Sequence, residues 1–168
     1  TFSYEISLDK LSILADQLMI AEARELPSKE IVRLLGEKIE GKSTAVFLDE
    51  MIRNAGLLYE SEGQYGFIHL TFQEYLTAYQ YANTKEAIDI LQYRDKSYWN
   101  ESFKLFFNMG GRNTTKVFEE IGQHLAEKRY YEQMDLWEAC LQDFTKKELQ
   151  EKCEKRFAKD ILNTLARA

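Results

Sequence analysis

The chain has 168 residues, 45% of them hydrophobic, and carries 22 Lys and Arg against 28 Asp and Glu for a formal net charge of -6. At this length folding buries roughly 70% of the surface exposed by the unfolded chain, which allows one or two real cores, and one proline, eight glycines and no Ser/Gly-rich or Pro-rich tract exclude a low-complexity chain. No run approaches the roughly 18 consecutive apolar residues of a spanning helix and no basic-then-apolar signal pattern opens the chain, so a soluble protein without membrane contact is expected.

Leu8, Leu11, Leu14, Ala15 and Leu18, with Ala21 or Glu22, recur at helical spacing and predict a first helix from about Ser7 to Glu25. Pro27 and Ser28 interrupt the pattern, and Ser28 is a credible N-cap for a short second helix that turns Ile31, Leu34, Leu35 and Ile39 inward and closes at Gly41. Ser43 or Thr44 caps a third helix with Val46, Phe47, Glu50, Met51 and Ile52, ended by Ala55-Gly56. There the period switches from 3.6 to 2: Leu57–Tyr59 and Tyr65–Leu70 flank Ser61-Glu62-Gly63-Gln64 and read as a hairpin. Three helices followed by a hairpin is the winged-helix order. Thr71-Phe72-Gln73-Glu74 then has the form of a capping box, opening a helix whose inner face is expected to be Phe72, Tyr75, Leu76 and Tyr79.

Asn83 and Thr84 end that helix and cap a shorter one through Ile88 and Leu91. Trp99, Phe103, Phe106 and Phe107 form an aromatic helix stopped by Gly110-Gly111, and Val117, Phe118, Ile121 and Leu125 lie on the next. Met134, Trp137, Leu141 and Phe144 repeat the aromatic pattern, with Trp99 and Trp137 separated by 38 positions, the length of a two-helix repeat. Thr145-Lys146-Lys147-Glu148 opens a last helix through Leu149, Cys153, Phe157, Ile161 and Leu165. The whole is expected to be mainly α: a winged-helix domain with a small β-hairpin wing over residues 1–82, then an α-helical superstructure of antiparallel, repeat-like helices over 83–168.

Chemistry-bearing constellations are sparse. His69 and His124 are the only histidines and neither lies in a glycine-flanked nucleophile elbow, so no catalytic residue is assigned. Together with Cys140 and Cys153 they show no metal-ligand spacing, and buried free thiols in a reducing, cytoplasmic setting are expected. No Gly-x-x-x-x-Gly-Lys-Ser/Thr loop is present to cradle a triphosphate. Charge divides unevenly: residues 1–82 hold 7 Lys and Arg against 13 Asp and Glu, while 83–168 hold 15 against 15. The third helix offers Arg53, with Lys42 just outside, against Asp49 and Glu50, which is a poor surface for phosphates, so nucleic acid is not an expected partner.

The string Tyr65-Gly66-Phe67-Ile68-His69-Leu70-Thr71-Phe72-Gln73-Glu74-Tyr75-Leu76-Thr77-Ala78 resembles the end of the winged-helix domain in NACHT-type STAND ATPases, the class that includes animal NOD-like receptors and bacterial defence relatives. The resemblance implies a regulatory segment rather than an enzyme. Its Walker A and B elements would lie upstream, in a parent protein that is an ATPase binding ADP or ATP with Mg, and the chain's opening at Thr1 rather than Met fits an upstream domain. In that family the winged-helix His contacts the β-phosphate of ADP and holds the closed state, a role that falls on His69. The implied partners are the upstream nucleotide-binding domain and, through the parent, an oligomer in innate immunity or antiphage defence. A winged-helix DNA-binding protein and a helical protein-protein interaction scaffold are the alternatives.

Overall fold

Ser3 starts the first element by accepting the Ile6 N–H on its hydroxyl oxygen at 3.3 Å. In the computed structural model, which describes residues 2–83, 86–124 and 132–142, α1 runs Tyr4–Ile20 and buries the predicted Leu11, Leu14, Ala15 and Leu18 together with Ser12 and Met19, while Leu8 is half-buried and Ala21 and Glu22 lie exposed beyond its end. Ser12 is accommodated there by donating its hydroxyl to Leu8 O at 2.7 Å. The helix ends before the predicted Glu25 because Glu22 enters the left-handed region at φ 50°. The Glu22 N–H then reaches Met19 O at 3.1 Å and the Ala23 N–H reaches Leu18 O at 2.9 Å, the paired bonds of a Schellman stop.

After β1 (Leu26–Pro27), α2 covers Ser28–Leu35 and buries Ile31 and Leu35. Ser28 is its first residue rather than its cap, and Gly36, at φ 89°, stops it well before Gly41. Ile39, expected on this helix, lies instead in β2 (Lys38–Ile39), which pairs with β3 (Lys42–Ser43) and still buries the side chain. Next comes α3 (Thr44–Arg53), which buries Thr44, Phe47, Leu48 and Met51, while Val46 is 48% exposed. Thr44 donates its hydroxyl to Gly36 O and so ties this helix to the end of α2. Phe2 packs edge-on against Phe47 with centroids 5.2 Å apart, under the Lys42 ammonium 4.7 Å from its ring, and donates its N–H to the Glu50 carboxylate at 3.0 Å.

The wing is the hairpin β4 (Leu58–Ser61) and β5 (Gln64–Phe67), in register Leu58 with Phe67 and Ser61 with Gln64. Its two-residue turn, Glu62-Gly63, has φ of 52° and 77°, the double left-handed signature of a type I′ turn. β1 adds to the other side of β5, Leu26 opposite Tyr65, giving an antiparallel sheet of order β1-β5-β4. The hairpin alone is legible in the sequence; a two-residue strand holding a proline carries no period. Leu14, Leu18, Ile31, Phe47, Leu48 and Phe67 sit at the centre of the core that these elements enclose.

The chain divides into two compact units, Thr1–Gln80 and Tyr81–Ala168, and α4 (Leu70–Ala82) passes the division in its last turn. In the second unit the short helix predicted through Ile88 and Leu91 is a 3-10 helix, Ala87–Tyr93, which buries Ala87, Ile90 and Leu91 and leaves Ile88 exposed. A further 3-10 turn, Ser97–Trp99, leads into α5 (Asn100–Met109), followed by α6 (Arg112–His124) and α7 (Met134–Gln142). Trp99, Phe103, Phe106, Phe107, Val117, Ile121 and Trp137 are fully buried. Trp99 stacks on Tyr93 at 3.9 Å and Trp137 meets Phe103 edge-on at 5.4 Å. The two tryptophans differ in setting, since Trp99 immediately precedes α5 and Trp137 lies inside α7. The fold is thus mainly α, a winged helix with a small antiparallel sheet followed by a helical region. Leu125, Phe144, Cys153 and the helix predicted from Thr145 lie outside the described residues.

Candidate functional site

The elbow between the wing and α4 gathers the residues that the sequence singles out. Phe67 ends β5 buried in the core, and Ile68, one step along a period-2 strand, points outward at 41% exposure. The Ile68 N–H still donates to Leu57 O at 3.1 Å, so the strand's pairing persists to the brink of the turn. His69 follows, exposed, immediately before the first residue of α4. Its carbonyl accepts the Phe72 N–H at 3.1 Å and its ring lies 5.8 Å from the Phe72 ring, tilted by 50°.

One face of α4 departs from expectation. Phe72 and Tyr75, assigned to the interior on apolar character, are 36% and 45% exposed, and Tyr79 is half-buried. The helix buries Leu76, as expected, and with it Gln73, Glu74, Thr77 and Ala78. Thr77 and Ala78 are small enough to let the helix axis approach the core, and Gln73 satisfies its amide by donating to Ala23 O at 3.2 Å. Thr71 falls inside the first turn rather than at the cap, because α4 begins at Leu70. The outward face therefore presents Ile68, His69, Phe72 and Tyr75 in a continuous stripe, His69, Phe72 and Tyr75 being three apart.

Three contacts hold the 23–25 loop beneath this elbow. Gln73 takes Ala23 O, Tyr59 donates its phenol to the Glu25 carboxylate at 2.6 Å, and Gly66 leaves room for Arg24 O, which a β-carbon at position 66 would approach to 2.3 Å. The hydrogen bond to Glu25, then burial, raises the Tyr59 pKa above its ordinary 10.0.

Elsewhere the titratable residues are dispersed. His124 closes α6 and bridges Glu120 at 3.1 Å, and Cys140 is a buried free thiol in α7. Among the described residues no group of three or more His, Cys, Asp or Glu is placed to hold a metal ion, and no helix is long and apolar enough to cross a membrane. Arg53 on α3 is engaged by Asp49 at 2.5 Å, and Lys42 lies over the Phe2 ring. A cleft of about 330 Å³ between α3 and the wing is lined by Ala45, Asp49, Ile52, Arg53, Glu60 and Tyr65. The sequence pointed to His69; the clamp around it escaped, because its members are separated by up to 50 positions and only a glutamine amid aromatic residues hinted at one of them.

Residues 4–81 match a family model described as a winged helix-turn-helix domain C-terminal to NACHT. Comparison with curated proteins found no match.

Proposed function

We propose, for a chain whose residues 4–81 belong to the winged helix-turn-helix domains that lie C-terminal to NACHT, that it is a regulatory segment of a NACHT-type signal-transduction ATPase and not itself an enzyme. It couples the nucleotide state of the upstream domain to oligomerisation or sensing, in the cytoplasm, with innate immunity or antiphage defence as the setting of the parent protein. The observation that carries this reading is the placement of His69, exposed at the end of the wing and at the start of a 13-residue helix.

An imidazole there can donate an N–H to an anion that also meets the positive end of the helix dipole. His69 is exposed and supplies one donor, which fits a contact to the β-phosphate of ADP already held, with Mg, by the upstream domain. The exposed stripe of Ile68, Phe72 and Tyr75 offers the apolar surface such a domain would cover. Phosphate recognition of the DNA-binding kind is disfavoured, since Arg53 is neutralised by Asp49 on the helix that would enter a groove.

The test is ADP titration of the parent protein and its His69→Ala variant, alongside thermal melting of this chain. Loss of one hydrogen bond to a charged phosphate should raise the ADP dissociation constant about tenfold to a hundredfold while melting stays unchanged, because the ring is outside the core. Unchanged affinity together with a large drop in stability would make His69 a structural residue.

A further inference from the structure

We infer that Gln73 is a positioning residue that sets the orientation of His69, an inference that rests on the reading of His69 just given. Gln73 lies one helical turn beyond His69 and is only 1% exposed, so its amide is committed inside the protein rather than to solvent. Its Nε2 donates to Ala23 O across 50 positions of sequence. That carbonyl belongs to the residue whose N–H completes the Schellman stop of α1, which makes it a fixed point: Ala23 N–H is bonded to Leu18 O at 2.9 Å.

The first turn of α4 is thereby tied to the end of α1. The same loop is held from the strand side by Tyr59 on Glu25 and by the close fit of Gly66 under Arg24. The elbow carrying His69 thus spans two supports on one loop, β5 before it and Gln73 after it. Removing the second support frees the first turn of α4, Phe72 included, to rotate about the strand end, and its angle to the exposed His69 ring, which stands at the pivot just before Leu70, changes with that rotation. A ring that must meet a phosphate held by another domain tolerates little displacement.

The experiment is a double-mutant cycle on ADP affinity in the parent protein, using Gln73→Met, His69→Ala and the pair. Gln73→Met keeps the length and removes the donor, and should raise the dissociation constant about threefold to tenfold. In the His69→Ala background the same change should add less than about twofold, because a residue that acts through His69 has nothing left to position. Where His69→Ala itself weakens ADP binding, a full additive loss in that background, or no loss from Gln73→Met alone, overturns the inference. Gln73→Glu, which cannot donate when ionised, serves as the second variant should the methionine fold poorly.

An independent readout in this chain separates the inference from the reading it rests on. The His69 and Phe72 rings lie 5.8 Å apart, so the His69 Hε1 resonance should respond to their relative orientation and Gln73→Met should move it, whereas the core change Ile31→Val should leave it in place. An unmoved resonance in Gln73→Met overturns the inference even if His69 binds ADP. If His69→Ala leaves ADP affinity unchanged, the phosphate contact fails instead, and the moved resonance still supports Gln73 as the residue that orients His69.

Discussion

Tyr59 is where the clamp under the elbow becomes titratable. Its phenol donates to the Glu25 carboxylate, and that bond, with burial, raises its pKa above 10.0 in the folded chain. A folded pKa above the unfolded one stabilises the fold fully below pH 10, and that contribution is lost as pH rises through the folded value. Between about pH 9 and about pH 11 the melting temperature of the wild type should therefore fall more than that of Tyr59→Phe, the remaining tyrosines being common to both. A difference that stays constant across this range would show that the phenol is not the responsible group. At this scale the sequence was informative about character and less so about direction. His69 was readable as a strand-end residue, but Phe72 and Tyr75 were placed inward because aromatic character outweighed the small residues Thr77 and Ala78, which permit the closer approach. The fit of Gly66 under Arg24 O was not readable, since it depends on a backbone atom 42 positions away.

Turns and helix ends share an unusual feature at the scale of elements: Glu22, Glu40 and Glu62 all adopt positive φ, at 50°, 49° and 52°. Glu22 closes α1, and the other two each precede a glycine in a two-residue turn, at φ 78° for Gly41 and 77° for Gly63. An L-residue pays a steric penalty there that glycine avoids and asparagine reduces. Glu62→Asn and Glu22→Gly should each stabilise the chain by about 0.5 to 1 kcal/mol, seen as a higher urea midpoint at unchanged slope. A lowered midpoint would mean that the glutamate side chain contributes more than its backbone costs, and Glu22 does make side interactions of its own. The glycines marked these turns in the sequence; the glutamates beside them gave no sign. Periodicity likewise overran α2, because Leu35 and Ile39 are four apart and both buried, yet Gly36 breaks the helix between them.

Over the whole molecule, charge is the feature that bears on nucleic-acid binding. Residues 1–82 carry 13 acidic against 7 basic side chains, with Arg53 paired and Lys42 over an aromatic ring. The chain should show no micromolar affinity for random duplex DNA at physiological salt in a fluorescence-anisotropy titration, and measurable binding would overturn the charge argument. The order of helices, the hairpin and the buried tryptophans were legible because each rests on local periodicity. The third strand was not, because β1 is recruited by pairing with β5 rather than by any pattern of its own. That small strand has a consequence for how copies of the protein meet. It is an edge of the sheet, it is two residues long, and Pro27 offers no N–H. An extended segment from a neighbouring molecule finds almost no ladder to extend there, so this edge is guarded against the strand-by-strand growth through which exposed sheets aggregate.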